Sequence, residues 1–424
     1  MAIHLARFPS LVFSCRQSVG AGLGLVALAI PMLVAGQVAP ITFDNSFGAV
    51  VLPADFGQNG NYQILESYGL KNETNLFHSF GEFSIPTGGS ATFEIDIDVF
   101  NVISRVTGGN PSLIDGRISI DGGNGEGANF WMINPAGMMF GPNTVIDVGG
   151  TFNVGAADYL SFSEGLEFSS SDNSISLFVD NPLDFGFFET ASNSGELSLE
   201  GLSLDVGRGL GTAALKLAGR SVSLDGVSIS STANPLDDTP SDIEISGGRI
   251  RLTDSTLQSS IVDKPFLAGN INLSAEFISI DASTLSADTF GEGDAGAIQI
   301  GNLLGGIQTD TVTLANGSLI TSETFGAGHA GRIDIKSNSI LANIGADGSP
   351  MDSAGQVIIS STSGFSVTDG SAAGFGAAGY VFLDGKSIRL ASTLIEANTK
   401  SDITSFPAII QINAISGGIE LFNT

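Results

Sequence analysis

Asp96 and Asp98, in Phe93 to Val99 (FEIDIDV), are the best-spaced carboxylates in the sequence. Alternation puts both on one face of a strand, where a pair of acids a few ångströms apart could do glycosidase-type acid–base work. Alternation alone also produces such a pair, so a solvated strand face is the expectation. Asp237-Asp238 lies between two prolines and reads as turn chemistry. Three histidines, His4, His78 and His329, stand far apart without neighbouring ligands. His78 has no orienting partner in sequence and is expected to be a hydrogen-bonded structural residue. His329 occupies a turn position where Asp294 stands one repeat earlier, which places it at the surface. No Gly-x-Ser-x-Gly elbow sets a nucleophile beside a base.

The run Gly122 to Gly127 (GGNGEG) approaches a calcium-binding glycine-rich repeat, but Glu126 stands where Asp is needed and no second copy stacks on it. A glycine-rich turn is the reading that remains. Trp131, between Phe130 and Met132, is expected to be buried packing rather than a sugar platform. These residues give no catalytic set, no metal site and no cofactor.

Residues 1 to 36 contain Arg7 and Arg16, no acid, and an apolar run from Val19 to Ala35 that ends in small residues. That is the pattern of a cleaved secretory leader, with a signal anchor as the rival. Cys15, the single cysteine, leaves with it, so the mature chain has neither disulfide nor thiol chemistry. The 14 bases and 44 acids after residue 36 give a net charge of −30. Such a chain repels nucleic-acid phosphates and anionic membranes. A hydrophobic fraction of 42% against 14% charged residues still supplies a core.

Ala-Gly, one residue, then alternating apolar and polar positions recurs from Ala268, Ala295, Ala330, Ala354 and Ala378, and the last two spacings are equal. A looser copy begins at Ala218. Between copies lie further short alternating segments, such as Ile278 to Ile280 and Ser283 to Ala287. Three short strands per repeat, separated by Gly, Ser, Asp and Asn, make one rung of a solenoid. A period near 24 is too short for propeller blades, and the leucine-rich register is missing. A parallel β-helix is predicted, with Ala-Gly at corners where backbones approach closely. Roughly 15 rungs at about 4.8 Å would make a rod on the order of 70 Å. Pro407 to Thr424 ends in apolar strand without a polar cap, so the expectation is either a truncated reading frame that once continued or another copy or partner covering that end, a second copy giving end-to-end self-association.

Asn129 to Val148 (NFWMINPAGMMFGPNTVIDV) is a chain turning sharply between short strands. Asn before Pro is held extended, and Gly137 supplies a conformation other residues resist. Asn134-Pro135-Ala136-Gly137-Met138 resembles the Asn-Pro-Asn-Gly-Ile motif of the two-partner secretion domain, the export domain of filamentous-haemagglutinin-type adhesins. Asn75 to Phe83 (NLFHSFGEF), Val102 to Ile118 (VISRVTGGNPSLIDGRI) and Thr151 to Phe162 (TFNVGAADYLSF) occur in the order seen in its bacterial, notably cyanobacterial, members. The family's Asn-Pro-Asn-Leu motif has no counterpart near Thr87 to Ser90.

The resemblance implies an all-β, right-handed parallel β-helix with an N-terminal cap and a small extra-helical sheet. It implies an export domain over residues 37–280, with residues 281–424 forming further β-helix of a short passenger. It also implies a secreted, non-enzymatic exoprotein of a Gram-negative cell surface, passed unfolded through an outer-membrane transporter with periplasmic POTRA domains and meeting an unknown host or surface ligand. Asn134, Pro135 and Gly137 become the expected secretion-motif turn, with a plain structural turn as the alternative. A polysaccharide-active β-helix enzyme and a surface-layer or matrix protein are the rival functions.

Overall fold

The computed structural model describes residues 40–123, 127–171, 179–188, 195–205, 213–232, 242–260, 267–301, 308–326, 328–352, 354–364, 376–399 and 408–422. The expected leader, the Asp237-Asp238 turn and Asn124 to Glu126 of the glycine run lie outside them. The described chain is built of strands and turns and has no α-helix.

One parallel ladder runs the length of the molecule. It begins with Asn75–Glu82, Asn101–Val106, Asn129–Ile133 and Phe152–Ala156. It continues through Ala213–Asp225, Asp242–Thr253 and Ile271–Asp281. Ile298–Gly301 and Thr311–Ala315 then share one level, followed by Arg332–Ala342, Tyr380–Ala391 and Ile409–Phe422. A second ladder stacks Ser203–Asp205, Ser228–Thr232, Thr256–Ser260, Thr284–Ser286, Leu319–Thr321, Val357–Ser363 and Thr393–Thr399. A third, nearer the N-terminus, stacks Asn61–Leu65, Ser90–Ile95, Arg117–Gly122 and Val145–Asp147.

Each long strand bends midway, its first half facing one side of the solenoid and its second half the next. The second ladder closes the turn, which makes the molecule a parallel β-helix. The core is a set of apolar columns. Ile243, Ile271, Ile298, Ile333 and Val381 are successive partners and each is fully buried. Every such side chain contributes about 1.5–3 kcal/mol relative to leaving it in water. A lone rung would expose all of them on both sides, so stability comes from the stack.

The Ala-Gly corners form as expected. A Cβ on Gly296 would lie 2.0 Å from Gly269 O, one on Gly331 2.1 Å from Gly296 O, and one on Gly379 1.9 Å from Gly331 O. The fourth copy is different. Val357–Ser363 pairs with Leu319–Thr321 and Thr393–Thr399, so it belongs to the second ladder and is not a rung of its own. The same column passes from Ile333 directly to Val381 and then to Ile410. The two equal spacings between Ala330 and Ala378 therefore make up one long turn. Ala-Gly followed by alternation marks any corner leading into a strand, and does not say which sheet that strand joins.

The long ladder has eleven levels among the described strands, or ten steps of about 4.8 Å, roughly 48 Å. The rod is shorter than the sequence suggests because turns run longer and because residues leave the solenoid. Tyr159–Ser161 pairs antiparallel with both Glu167–Ser169 and Asp184–Gly186, forming a small sheet outside the helix. It covers a second core of Phe77, Ile103, Trp131, Ile133, Leu160 and Phe168. At the N-terminal end, Thr42–Phe43 and Leu70–Asn72 lie antiparallel on Asn75–Glu82 and close the edge of the first rung.

Candidate functional site

The Asn-Pro turn connects Asn129–Ile133 to Met138–Phe140. Asn134 is 1% exposed, and all of its amide is used. Its Oδ1 accepts from Ala136 N at 3.0 Å, closing the local turn that Pro135 initiates. Its Nδ2 donates to Asn110 O at 3.0 Å and to Ser112 Oγ at 2.9 Å, both one rung earlier. Its backbone N–H donates to Gly155 O, and Pro135 O accepts from Gly195 N at 2.7 Å, both one rung later. The motif therefore ties three successive rungs together.

Gly137 has φ +115°, and a Cβ there would approach Glu196 O at 2.9 Å. Only glycine meets both demands. Pro135 and Ala136 are half-buried, the outermost atoms of the turn.

A second feature beside it escaped the sequence reading. Asn75, Asn101 and Asn129 are register partners, each opening its strand. Asn101 Nδ2 donates to Asn75 Oδ1 at 2.7 Å, Asn129 Nδ2 to Asn101 Oδ1 at 3.0 Å, and Asn129 Oδ1 accepts from Thr151 N at 3.0 Å. The signal was present as three strand starts of Asn followed by apolar residues, one in each of three successive rungs. Arg105 is also buried, donating to Ser79 Oγ at 2.7 Å and to Ser169 O at 2.5 Å, with its guanidinium 5.0 Å from the Phe168 ring. It binds the small outer sheet to the solenoid wall.

The other sequence candidates fall apart as sites. The strand in FEIDIDV ends at Ile95, so Asp96 and Asp98 lie in the following turn and not on a strand face. Asp98 is held by Lys71 at 2.5 Å, which also pairs with Glu66, and this contact keeps its carboxyl below the usual range. His78 is fully buried, with Nε2 3.5 Å from Leu65 O and Nδ1 without a partner, so the expected well-bonded histidine is only weakly bonded. Burial lowers its pKa to about 4. Its column neighbour Ser104 likewise has an unpartnered Oγ. His329 is exposed, its N–H donating to Asp294 Oδ1 at 2.6 Å. Trp131 is 6% exposed and packs 5.7 Å from Phe185, in the second core. Among the described residues no three of His, Cys, Asp and Glu cluster to hold a metal.

The model of the TPS (two-partner secretion) secretion domain matches residues 57–367, well over half of the sequence and including the Asn-Pro turn. The chain belongs to this family. The TPS domain is a family of secretion domains of exoproteins and not an enzyme family, and it implies export across the outer membrane, to the cell surface or beyond, with a cognate transporter as partner. Among solved structures the chain is similar to the HMW1 secretion domain from Haemophilus influenzae, at 14% identity and a TM-score of 0.43, covering 86% of this chain and 94% of that one. No curated protein matches. The β-helix of this TPS chain rests on its own ladders.

Proposed function

We propose that this TPS exoprotein crosses the outer membrane unfolded, through a transporter whose periplasmic POTRA domains bind the segment around Asn134, Pro135 and Gly137, and then acts in adhesion at the cell surface. The observation that carries this is the secretion-domain match over residues 57–367. The burial of Asn134 supports recognition before folding, because its amide is inaccessible once three rungs have closed on it. Residues 1–36 serve as a cleaved leader, 37–280 as the export domain and 281–424 as the passenger. That division is functional rather than physical, since the Ile271–Asp281 strand runs through the boundary. A mature chain without cysteine suits passage through a narrow pore, since no loop can be locked beforehand.

A tagged chain should reach the medium or surface only when the transporter is present, and unchanged export in a transporter deletion would refute the route. Asn134→Ala with Pro135→Ala should cut export severalfold. Asp96→Ala with Asp98→Ala should leave it intact; the reverse ranking would move the recognition determinant elsewhere.

A further inference from the structure

In this acidic molecule, most described bases are neutralised at close range. Lys71, Arg117, Lys216, Arg332 and Arg389 each pair with a carboxylate. Arg249 and Arg251 make no ion pair among the described residues, yet both are exposed on the outward face of Asp242–Thr253. Two positions apart on one strand, they project to the same side, about 7 Å from each other. The rungs on either side add hydroxyls. One outward row runs Ser221, Arg249, Phe277, Thr311, and the next runs Ser223, Arg251, Ser279, Thr313. The Arg249 guanidinium lies 5.0 Å from the centre of the Phe277 ring, which orients its plane while leaving its N–H groups free. Arg249, Arg251, Phe277, Ser279, Thr311 and Thr313 together line a recess of about 270 Å³.

We propose that this recess binds a sugar unit carrying a carboxylate or sulfate group, within an otherwise sparsely charged polysaccharide. Two free guanidinium forks match a planar or tetrahedral oxyanion by paired N–H donors. The flanking Ser279, Thr311 and Thr313 hydroxyls both donate and accept, as the hydroxyls of a sugar ring require. The recess is small by ligand-pocket standards, which run from about 300 Å³ upward, so it suits one ring rather than a long segment. The surrounding charge of −30 repels a dense polyanion such as nucleic acid, and so selects an isolated anionic unit. This inference names a ligand for the adhesion part of the proposed function and rests on that part alone.

The test is titration calorimetry of the purified chain at low salt with four probes: a uronic-acid disaccharide, a sulfated disaccharide, a neutral disaccharide and inorganic sulfate. One of the two acidic sugars should bind at least tenfold more tightly than the neutral one, and which of them does so identifies the anion. Arg249→Ser with Arg251→Ser should weaken that binding about tenfold or more, while an unchanged melting temperature shows the fold intact. Arg249→Lys with Arg251→Lys should recover only part of it. Equal binding of neutral and acidic sugars, or unchanged affinity in the serine variant, overturns the proposal. Inorganic sulfate binding as tightly as the better sugar overturns its saccharide part. Attachment of cells displaying each variant is measured in parallel: attachment that survives the serine substitutions defeats this site and leaves adhesion standing, whereas no attachment by the wild type defeats adhesion itself.

Discussion

Asn134 shows how one amide can act at two stages. In the folded chain its donors are spent on the rung before it and its acceptor on its own turn, whereas in the unfolded chain they are available to a transporter. The Asn-Pro turn was legible from residue types alone, because proline and glycine impose local geometry without help from the rest of the fold. The burial of Asn134 was not, since it depends on Asn110 and Ser112 arriving from another rung. His78 is the clearest case of such dependence. Its sequence context gives no sign that Nδ1 is left without a partner or that burial lowers its pKa from 6.5 to about 4. Between those values the unfolded chain takes up a proton that the folded chain refuses, so stability falls as pH drops through this window. At pH 5 the loss is about 2 kcal/mol relative to pH 7.5. Urea unfolding of the wild type and His78→Leu at both pH values isolates this contribution, because other titrating groups cancel in the comparison. Parallel changes in the two proteins would remove His78 from the account.

At the scale of strands and corners, periodicity carried most of the fold. The Ile and Leu alternation located the core columns, and the Ala-Gly pairs located a corner that no other side chain can occupy. Both are repeated local patterns. The assignment of Ala354 to a rung of its own failed for the same reason: the pattern is local, whereas sheet membership is a long-range fact. The asparagine ladder was missed because its three members, Asn75, Asn101 and Asn129, stand a full rung apart, and each alone is an ordinary strand start. The corner makes a sharp prediction. In Gly331→Ala the new methyl would sit 2.1 Å from Gly296 O and 2.2 Å from Ser322 Oγ, so backbone must move. A loss of about 2–4 kcal/mol in urea unfolding is expected. A loss below about 0.5 kcal/mol would mean that the rungs part easily.

For the whole molecule the two ends are unlike. The first rung is closed by antiparallel strands, whereas the last described strand, Ile409–Phe422, stands against Tyr380–Ala391 on one side. Ile410, Ile412, Ile419 and Leu421 continue the columns of Val381, Leu383, Ile388 and Leu390, and Leu421 is 56% exposed where Leu390 is 1%. An apolar strand edge of this kind invites a second copy. Light scattering of the purified chain at micromolar concentration should show assemblies larger than a monomer, and Ile410→Lys with Ile412→Lys should return it to monomer. A monodisperse wild type would show that this face does not pair.

The uneven turns of the solenoid also give the molecule a mechanical signature. Pulled from its C-terminal end in a single-molecule force experiment, with the capped first rung held fast, the stack should peel one turn at a time. Each release adds roughly 3.5 Å of contour per residue freed, so its size reads out the length of the turn that has just let go. Among the turns of the column that follow Leu215, the one between Ile333 and Val381 is the longest, and it comes second in the order of peeling. Its release, roughly 170 Å, would mark the position of the unravelling front like a notch on a ruler.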